Sequence, residues 1–580
     1  MFQQLQPVGD SMFISASFQQ DPQPVGDSLF LSALCGAIPL VTLFVLLGGL
    51  RLKAWLAGLI SLGVALLVAI LLFAMPVGQA LLAATEGAAF GFFPIMWIVI
   101  NAIWVYNLTV ASGHFDVLRR SFEKVSADQR IQAIIIAFCF GALLEALAGF
   151  GTPVAITVVM LMALGFEPLK AAAVALIANT APVAFGALAT PIVTLAEVSS
   201  GASNDAGLTV DTLGSMVGRQ TPILAVIVPL VLVLVVDGKR GVRQTWLPAL
   251  VCGVSFGLAQ FVASNYISVP LADIIAALVS AAAVVVLLRV WQPSEVITAA
   301  ATEEKIPTHG RTPAASAGSA GTAASADGTV HDSGSDVAKA YAPYAVIIAI
   351  FSIANITAVK EFLAEKPFTF AFDWPGLEVL NAQGDPVAST VYNFNWLPAA
   401  GTLLIIAGVI TAAILGVSPA KALRAYGDTY VELKSAIITV MAVLALAFVM
   451  NLSGQTTSLG LWLAGAGGAF AILSPILGWL GVAVTGSDTS SNALFGALQV
   501  QTASEAGLDP VLMAASNSSG GVLGKMISPQ NLAIAAAAVA MAGREGDIFR
   551  KVIGWSLGLL VLMCLIVGLQ ATPVLGWMVP

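Results

Sequence analysis

Charge is scarce in this chain. Of 580 residues, 24 are Lys or Arg and 32 are Asp or Glu, 10% in all, while 58% are hydrophobic and the mean hydropathy is +0.93. No water-soluble core hides that much apolar surface, so a soluble enzyme or a nucleic-acid binder is excluded and an integral membrane protein is expected. Cysteine is nearly absent. Cys35, Cys139, Cys252 and Cys564 all fall inside apolar runs and form no CxxC, which fits small buried hydrophobes and not disulfides or metal ligands. Histidine is rarer still: His309 and His331 lie in a polar stretch and only His114 is near an apolar run. A histidine metal centre or a catalytic triad is therefore excluded, and no cofactor, metal or enzymatic activity is expected.

Long apolar runs are what the chain has instead. They recur near 30–50, 55–75, 94–112, 131–148, 221–236, 246–265, 270–291, 341–359, 394–415, 435–451 and 552–573, and a helix needs about 20 such residues to cross a bilayer. The lengths predict an all-α polytopic protein with about twelve or more transmembrane helices, and not a barrel, because each segment must satisfy its own backbone groups in lipid. Basic residues mark loops expected in the cytoplasm: Arg51 and Lys53; Arg119, Arg120, Lys124 and Arg130; Lys239, Arg240 and Arg243; Lys421 and Arg424; Arg544, Arg550 and Lys551. The acid-rich segments 198–220 and 360–393 then face outward, as do both termini. The domain expectation is an extracytoplasmic segment 1–29, a first membrane half 30–291, a disordered cytoplasmic linker 292–340 rich in Ala, Ser, Gly and Thr, and a second membrane half 341–580. At the N-terminus, Phe2 to Ala16 is echoed by Phe18 to Ala33, which leads into the first apolar run; with no basic n-region or cleavage site, a removable signal peptide is disfavoured and Met12 is a candidate start.

Two distant stretches share one polar grammar. Asn179-Thr180, Gly186 and Thr190-Pro191 match Asn517-Ser518, Gly524 and Ser528-Pro529 in spacing, and ahead of them Gly149 to Pro153 answers Gly486 to Ser490, as Glu167-Pro168 answers Asp509-Pro510. On the loop charges, core 131–197 begins inside and core 459–542 begins outside, so the repeats are inverted. Pro182, Pro191 and Pro529 each remove an intrahelical bond, and Gly520-Gly521 is expected to weaken the second helix where Pro182 breaks the first. Two broken helices and two re-entrant hairpins, with tips at Gly149–Pro153 and Gly486–Asn492, follow. Irregular backbone at membrane depth survives only where protein or a water-filled cavity surrounds it, and duplicated broken helices point to a transporter's binding site.

The candidate substrate ligands are Gly151, Thr152, Asn179, Thr180, Ser487, Thr489, Ser490, Asn517, Ser518, Ser519 and Lys525. Exposed helix-end N–H groups suit a carboxylate, the hydroxyls and amides suit a neighbouring hydroxyl, and Lys525 is the candidate cation. Each of these side chains has a rival reading as helix-to-helix glue, and for Lys525 the rival is an ion pair with Glu145 or Asp488. Charged residues inside apolar segments are few; Glu145, Asp488 and Lys525 stand out, with Glu86 after them. Glu145 and Asp488 are the candidate carriers of a coupling proton, since burial favours a neutral carboxyl. Gly521 to Met526 lacks the spacing and the Ser/Thr of a phosphate loop, so ATP-driven transport is not supported.

The strings GALLEALAGFGTPVAI from Gly141 to Ile156, VTGSDTSSNALFG from Val484 to Gly496 and SNSSGGVLGKMISPQNLAIA from Ser516 to Ala535, with Phe18-Gln-Gln-Asp-Pro and Leu31 to Leu34, resemble the bacterial lactate permease family from Phe18 onward. The resemblance implies proton-coupled uptake of L-lactate and related 2-hydroxymonocarboxylates such as glycolate, in the bacterial cytoplasmic (inner) membrane. The implied partners are the monocarboxylate, protons and membrane lipid. It also implies an inverted-repeat, elevator-like scaffold in the wider ion-transporter grouping. A sodium-coupled carboxylate carrier or a cation/proton antiporter on such a scaffold is the competing expectation. Oligomeric state is not legible in the sequence.

Overall fold

The computed structural model describes residues 17–149, 151–202, 207–297, 332–541 and 543–580. The echo copy at 2–16, Met12, His309, His331, Phe150 at one hairpin tip and most of the 292–340 linker therefore lie outside the described residues. Among the described residues, eleven helices are long and apolar enough to cross a membrane. Three of these are interrupted within their length, Val183–Ser200 at Ala187–Ala189. Val77–Ala111 kinks at Phe93-Pro94, and Val210–Ile267 folds back at Asp237-Gly238, where Gly238 has φ +63°.

Counting crossings gives the orientation of the repeats. The first repeat runs from Gly113 through hairpin 1 (Gln129–Ala148 and Thr152–Ala163) to broken helix 1 (Pro168–Ala178 and Gly186–Ser200). The second runs from Gly454 through hairpin 2 (Phe470–Thr485 and Asp488–Ala506) to broken helix 2 (Pro510–Gly524 and Pro529–Ala538). Between Ser200 and Gly454 the chain crosses an even number of times: twice in the folded-back helix, then in Ala272–Leu288, Gly334–Ala354, Ala400–Ile414 and Pro419–Leu452. Broken helix 1 adds one more crossing, so the second repeat starts on the face opposite the first. Contacts agree. Arg120 meets Asp332 and Arg130 meets the Glu295 carbonyl on the basic face, whereas Gln20 meets the Asn451 carbonyl and Arg219 the Met578 carbonyl on the other.

The same glycines punctuate both copies. Gly113 and Gly454 (φ +77° and +87°) open the repeats, Gly151 and Gly486 (+88° and +77°) turn the hairpin tips, and Gly165 and Gly507 (+84° and +69°) precede the broken helices. A left-handed backbone at these joints is strained for residues with a Cβ. Both broken helices begin at the expected proline. Asp509 caps the second through Leu512 N–H, while the Glu167 side chain makes no cap bond.

Two apolar cores form. One gathers hairpin 1, both broken helices and the folded-back helix; the other joins Leu29–Phe44, Ala54–Leu71 and Val77–Phe90 to Pro419–Leu452. The chain is not wholly helical. Phe370–Asp373 pairs antiparallel with Val391–Phe394, and Phe18–Gln19 pairs parallel with Val379–Leu380, forming a cap on the face opposite the basic loops. Its alternating aromatics cover the helix ends: Phe394 lies 4.9 Å from Phe93, and Tyr392 lies 4.9 Å from Phe90. The helix after the linker starts at Gly334, capped by Ser333, seven residues before the apolar run at Tyr341.

Candidate functional site

Each hairpin carries an acid against a glycine of its own repeat's broken helix. Glu145, one turn before the tip of hairpin 1, lies over Gly186: a Cβ there would sit 2.8 Å from Glu145 Oε1. Asp488, at the start of the second arm of hairpin 2, lies over Gly521, where a Cβ would sit 2.3 Å from Asp488 Oδ1. The absent side chains are what admit the carboxylates.

The helices break differently. Broken helix 1 ends at Ala178 and resumes only after Ala187, Leu188 and Ala189, all at positive φ; the Ala187 carbonyl freed by Pro191 accepts from Thr190 Oγ1 at 2.6 Å. Broken helix 2 breaks at Lys525–Ile527, and the Lys525 carbonyl freed by Pro529 accepts from Ser528 Oγ and Asn531 Nδ2. Gly520 and Gly521 do not weaken it as the sequence suggested: the helix runs unbroken to Gly524. These glycines instead let hairpin 2 approach, since a Cβ at Gly520 would fall 2.2 Å from the Pro475 carbonyl oxygen and at Gly524 2.3 Å from that of Trp479.

The break in helix 2 aims Lys525 across the repeat boundary. Its Nζ donates to Glu145 Oε1 at 2.6 Å, with the two side chains 7% and 3% exposed, and Asn179 Nδ2 donates to Glu145 Oε2 at 2.9 Å. Ser518 Oγ donates to Asp488 Oδ2 at 2.5 Å, and Asn492 Nδ2 ties hairpin 2 to the Pro191 carbonyl of broken helix 1 at 3.0 Å. Buried Asp488 Oδ1 and Asn179 Oδ1 have no donor. Around the pair is a cavity of about 40 Å³ lined by Glu145, Lys525, Asp488, Thr489, Thr190 and Gln530, room for a few waters at most. Ser487 and Gln530 also wall a vestibule of about 1140 Å³ that carries Thr152, Ser490, Arg51, Lys53 and Glu432. The cavity is thus approached from the basic face across those two side chains.

Of the sequence candidates, Lys525, Glu145, Asp488, Ser487 and Thr489 line this cavity, Asn179 and Ser518 hold its carboxylates, and Thr152 and Ser490 face the vestibule. The other four neither line it, hold its carboxylates nor face the vestibule. Thr180 Oγ1 turns back to the Ile177 carbonyl; Asn517 is consumed by Asn492 Oδ1 and Gln499 Nε2; Ser519 Oγ is buried without a partner; and Gly151 packs tip to helix, where a Cβ would meet Ile534 Cδ1 at 2.3 Å. For these, helix-to-helix packing is what the geometry supports. Sequence reasoning missed Gln530, which follows Pro529, and Asn492, which is one turn after Asp488 on the same helix face.

A family model described as L-lactate permease matches residues 32–574. The L-lactate permease of Bacillus subtilis (strain 168) is 42% identical over 94% of this chain and 97% of its own length, and the glycolate permease GlcA of Escherichia coli (strain K12) is 42% identical over the same shares. Among solved structures, Neisseria gonorrhoeae MtrF, titled as illuminating a class of antimetabolite efflux pumps, matches over 84% of this chain and 82% of its own at 11% identity, with a TM-score of 0.44. The chain belongs to the L-lactate permease family and is a multi-pass membrane transporter, not an enzyme.

Proposed function

We propose that the protein carries L-lactate and related 2-hydroxymonocarboxylates such as glycolate together with a proton, inward across the bacterial inner membrane. The observation that supports this most is the buried Lys525–Glu145 pair at the meeting point of both hairpins and both broken helices. Breaking such a pair by removing one partner leaves a buried charge and costs about 3–5 kcal/mol. A proton on Glu145 and a substrate carboxylate on Lys525 replace the pair with no change in buried charge, whereas either alone leaves the site unbalanced. That requirement couples proton to anion. The unpartnered Asp488 Oδ1 is then the acceptor for the 2-hydroxyl, so the two acids divide their roles: Glu145 takes the proton and Asp488 reads the hydroxyl. Binding needs Ser487 and Gln530 to part. Release on the basic face is to the cytoplasm, which places both termini outside.

The test is uptake of labelled lactate into reconstituted vesicles under an imposed pH gradient or an imposed sodium gradient. A response to the pH gradient alone is expected. Stimulation by sodium alone would replace proton coupling with the sodium-coupled reading.

A further inference from the structure

On the basic face, the folded-back helix Val210–Ile267 turns at Asp237-Gly238, and the turn is closely held. A Cβ at Gly241 would lie 2.4 Å from the Val233 carbonyl oxygen. The fully buried Arg130, at the foot of hairpin 1, ties the turn together: its Nη1 donates to Gln244 Oε1 at 2.6 Å and to Asp237 Oδ2 at 3.2 Å, and its Nη2 donates to the Glu295 carbonyl at 2.6 Å. Between this turn and the segment that follows Ala272–Leu288 opens a cavity of about 730 Å³, lined by Lys239, Arg240, Arg243, Gln244, Trp246 and Trp291. It shares no lining residue with the Lys525–Glu145 cavity.

Three acids approach the cavity, and each is met by a base. Asp128 and Asp237 pair with Arg130, and Glu295 pairs with Arg240, whose Nε also lies 3.9 Å from Asp237. Lys239 and Arg243 stand outside this network. Their side chains make no ion pair or hydrogen bond among the described residues, and neither do the indole N–H groups of Trp246 and Trp291. Two cations and two indole donors therefore line one cavity without a protein acceptor. The cavity also sits at a boundary. Val286 and Val290, one turn apart on the way into Trp291, are 63% and 86% exposed, as side chains facing lipid are, and Trp246 is 50% exposed. Tryptophan beside Lys and Arg is the composition of a bilayer interface.

We propose that this cavity seats the headgroup of an anionic phospholipid, with its phosphate on Lys239 and Arg243, its glycerol esters beside the two indoles and its acyl chains along Val286 and Val290. A basic pocket where spanning helices end suits such a headgroup. A small hydroxy acid fills little of a cavity this size and gives the indoles no apolar partner, whereas a phospholipid supplies the charge, the ester acceptors and the apolar body together. Because Gln244 joins the cavity wall to Arg130, the bound lipid braces the turn against the foot of hairpin 1. Its first effect is on the stability of the folded chain. None of this rests on the lactate reading.

The test uses the purified full chain in detergent and no substrate. Native mass spectrometry during titration with phosphatidylglycerol or phosphatidylcholine should show the first retained at concentrations where the second is not. Lys239→Gln combined with Arg243→Gln should weaken that retention by about 25-fold, about fivefold for each cation. Lys421→Gln combined with Arg424→Gln removes the same charge from another exposed basic loop and should leave it unchanged. Phosphatidylglycerol should also raise the wild-type melting temperature where phosphatidylcholine and millimolar glycerol phosphate do not. Equal retention of the two lipids by wild type, unaltered retention after the Lys239 and Arg243 changes, or an equal loss after the Lys421 and Arg424 changes overturns the proposal. Stabilisation by glycerol phosphate alone makes the cavity a site for free phosphate esters and overturns the lipid assignment as well.

Discussion

The two broken helices descend from one pattern and have divided its work. Broken helix 1 opens over about three turns of chain, with three consecutive residues in left-handed backbone, and contributes Asn179 and the Glu145-facing Gly186. Broken helix 2 opens over a single 3-10 turn, satisfies its freed carbonyl with its own Ser528 and Asn531, and contributes the cation. Gly165 and Gly507 and the N-terminal prolines after them remain equivalent in the two copies, because each broken helix must start from the same kind of turn. Charge is not equivalent. The position matching Lys525 in repeat 1 is Ala187, so the pair exists only because an acid of one repeat meets the base of the other. A duplicated frame becomes a site where its symmetry fails.

The harshest way to break that asymmetry is Lys525→Ala. Uptake of labelled lactate should fall at least about 100-fold with the protein still present in membranes, and the orphaned Glu145 should lower thermal stability, consistent with about 3–5 kcal/mol for half of a buried pair. The double variant Lys525→Met with Glu145→Gln should regain stability without regaining uptake. Wild-type kinetics in Lys525→Ala would remove the site.

Next in size, Gly186→Ala and Gly521→Ala test whether the two acids depend equally on their glycines. Each added Cβ collides with a carboxylate oxygen, at 2.8 Å for Glu145 and 2.3 Å for Asp488. Overpacking costs about 1–3 kcal/mol, so uptake should drop about tenfold or more in both, with the larger loss at Gly521. Asn517→Ala sharpens the contrast between site and glue. It orphans Asn492 Oδ1, at about 1–3 kcal/mol for a buried group, and leaves Gln499 Nε2 with only the Ser474 carbonyl, so the melting temperature should fall while the surviving protein keeps its KM for lactate.

The smallest effect is expected far from the break. Asp332 on the basic face is held below the usual carboxylate range, first by its hydrogen bond from Arg120. A lowered folded pKa adds stability above the unfolded value, near 3.9, that is lost as pH falls through the folded value. Asp332→Asn should therefore lower the melting temperature slightly at neutral pH, and its difference from wild type should vanish in acid. A difference that persists in acid would exclude the ion pair as its cause.

Composition alone settled that the chain lives in a bilayer, since too few charges leave too much apolar surface for water. Period and spacing settled the duplicated hairpins and broken helices, because glycine and proline act locally through backbone they permit or forbid. Loop charges settled that the copies are inverted. The tertiary structure decided what sequence spacing cannot carry: which acid meets Lys525, that Gly520 and Gly521 serve close packing where a break was expected, that Asn517 is held between Asn492 and Gln499, and that Glu86 is left without a partner. Those outcomes depend on distances between residues hundreds of positions apart, and a hydrogen bond or a clash is set by fractions of an ångström that no local pattern records.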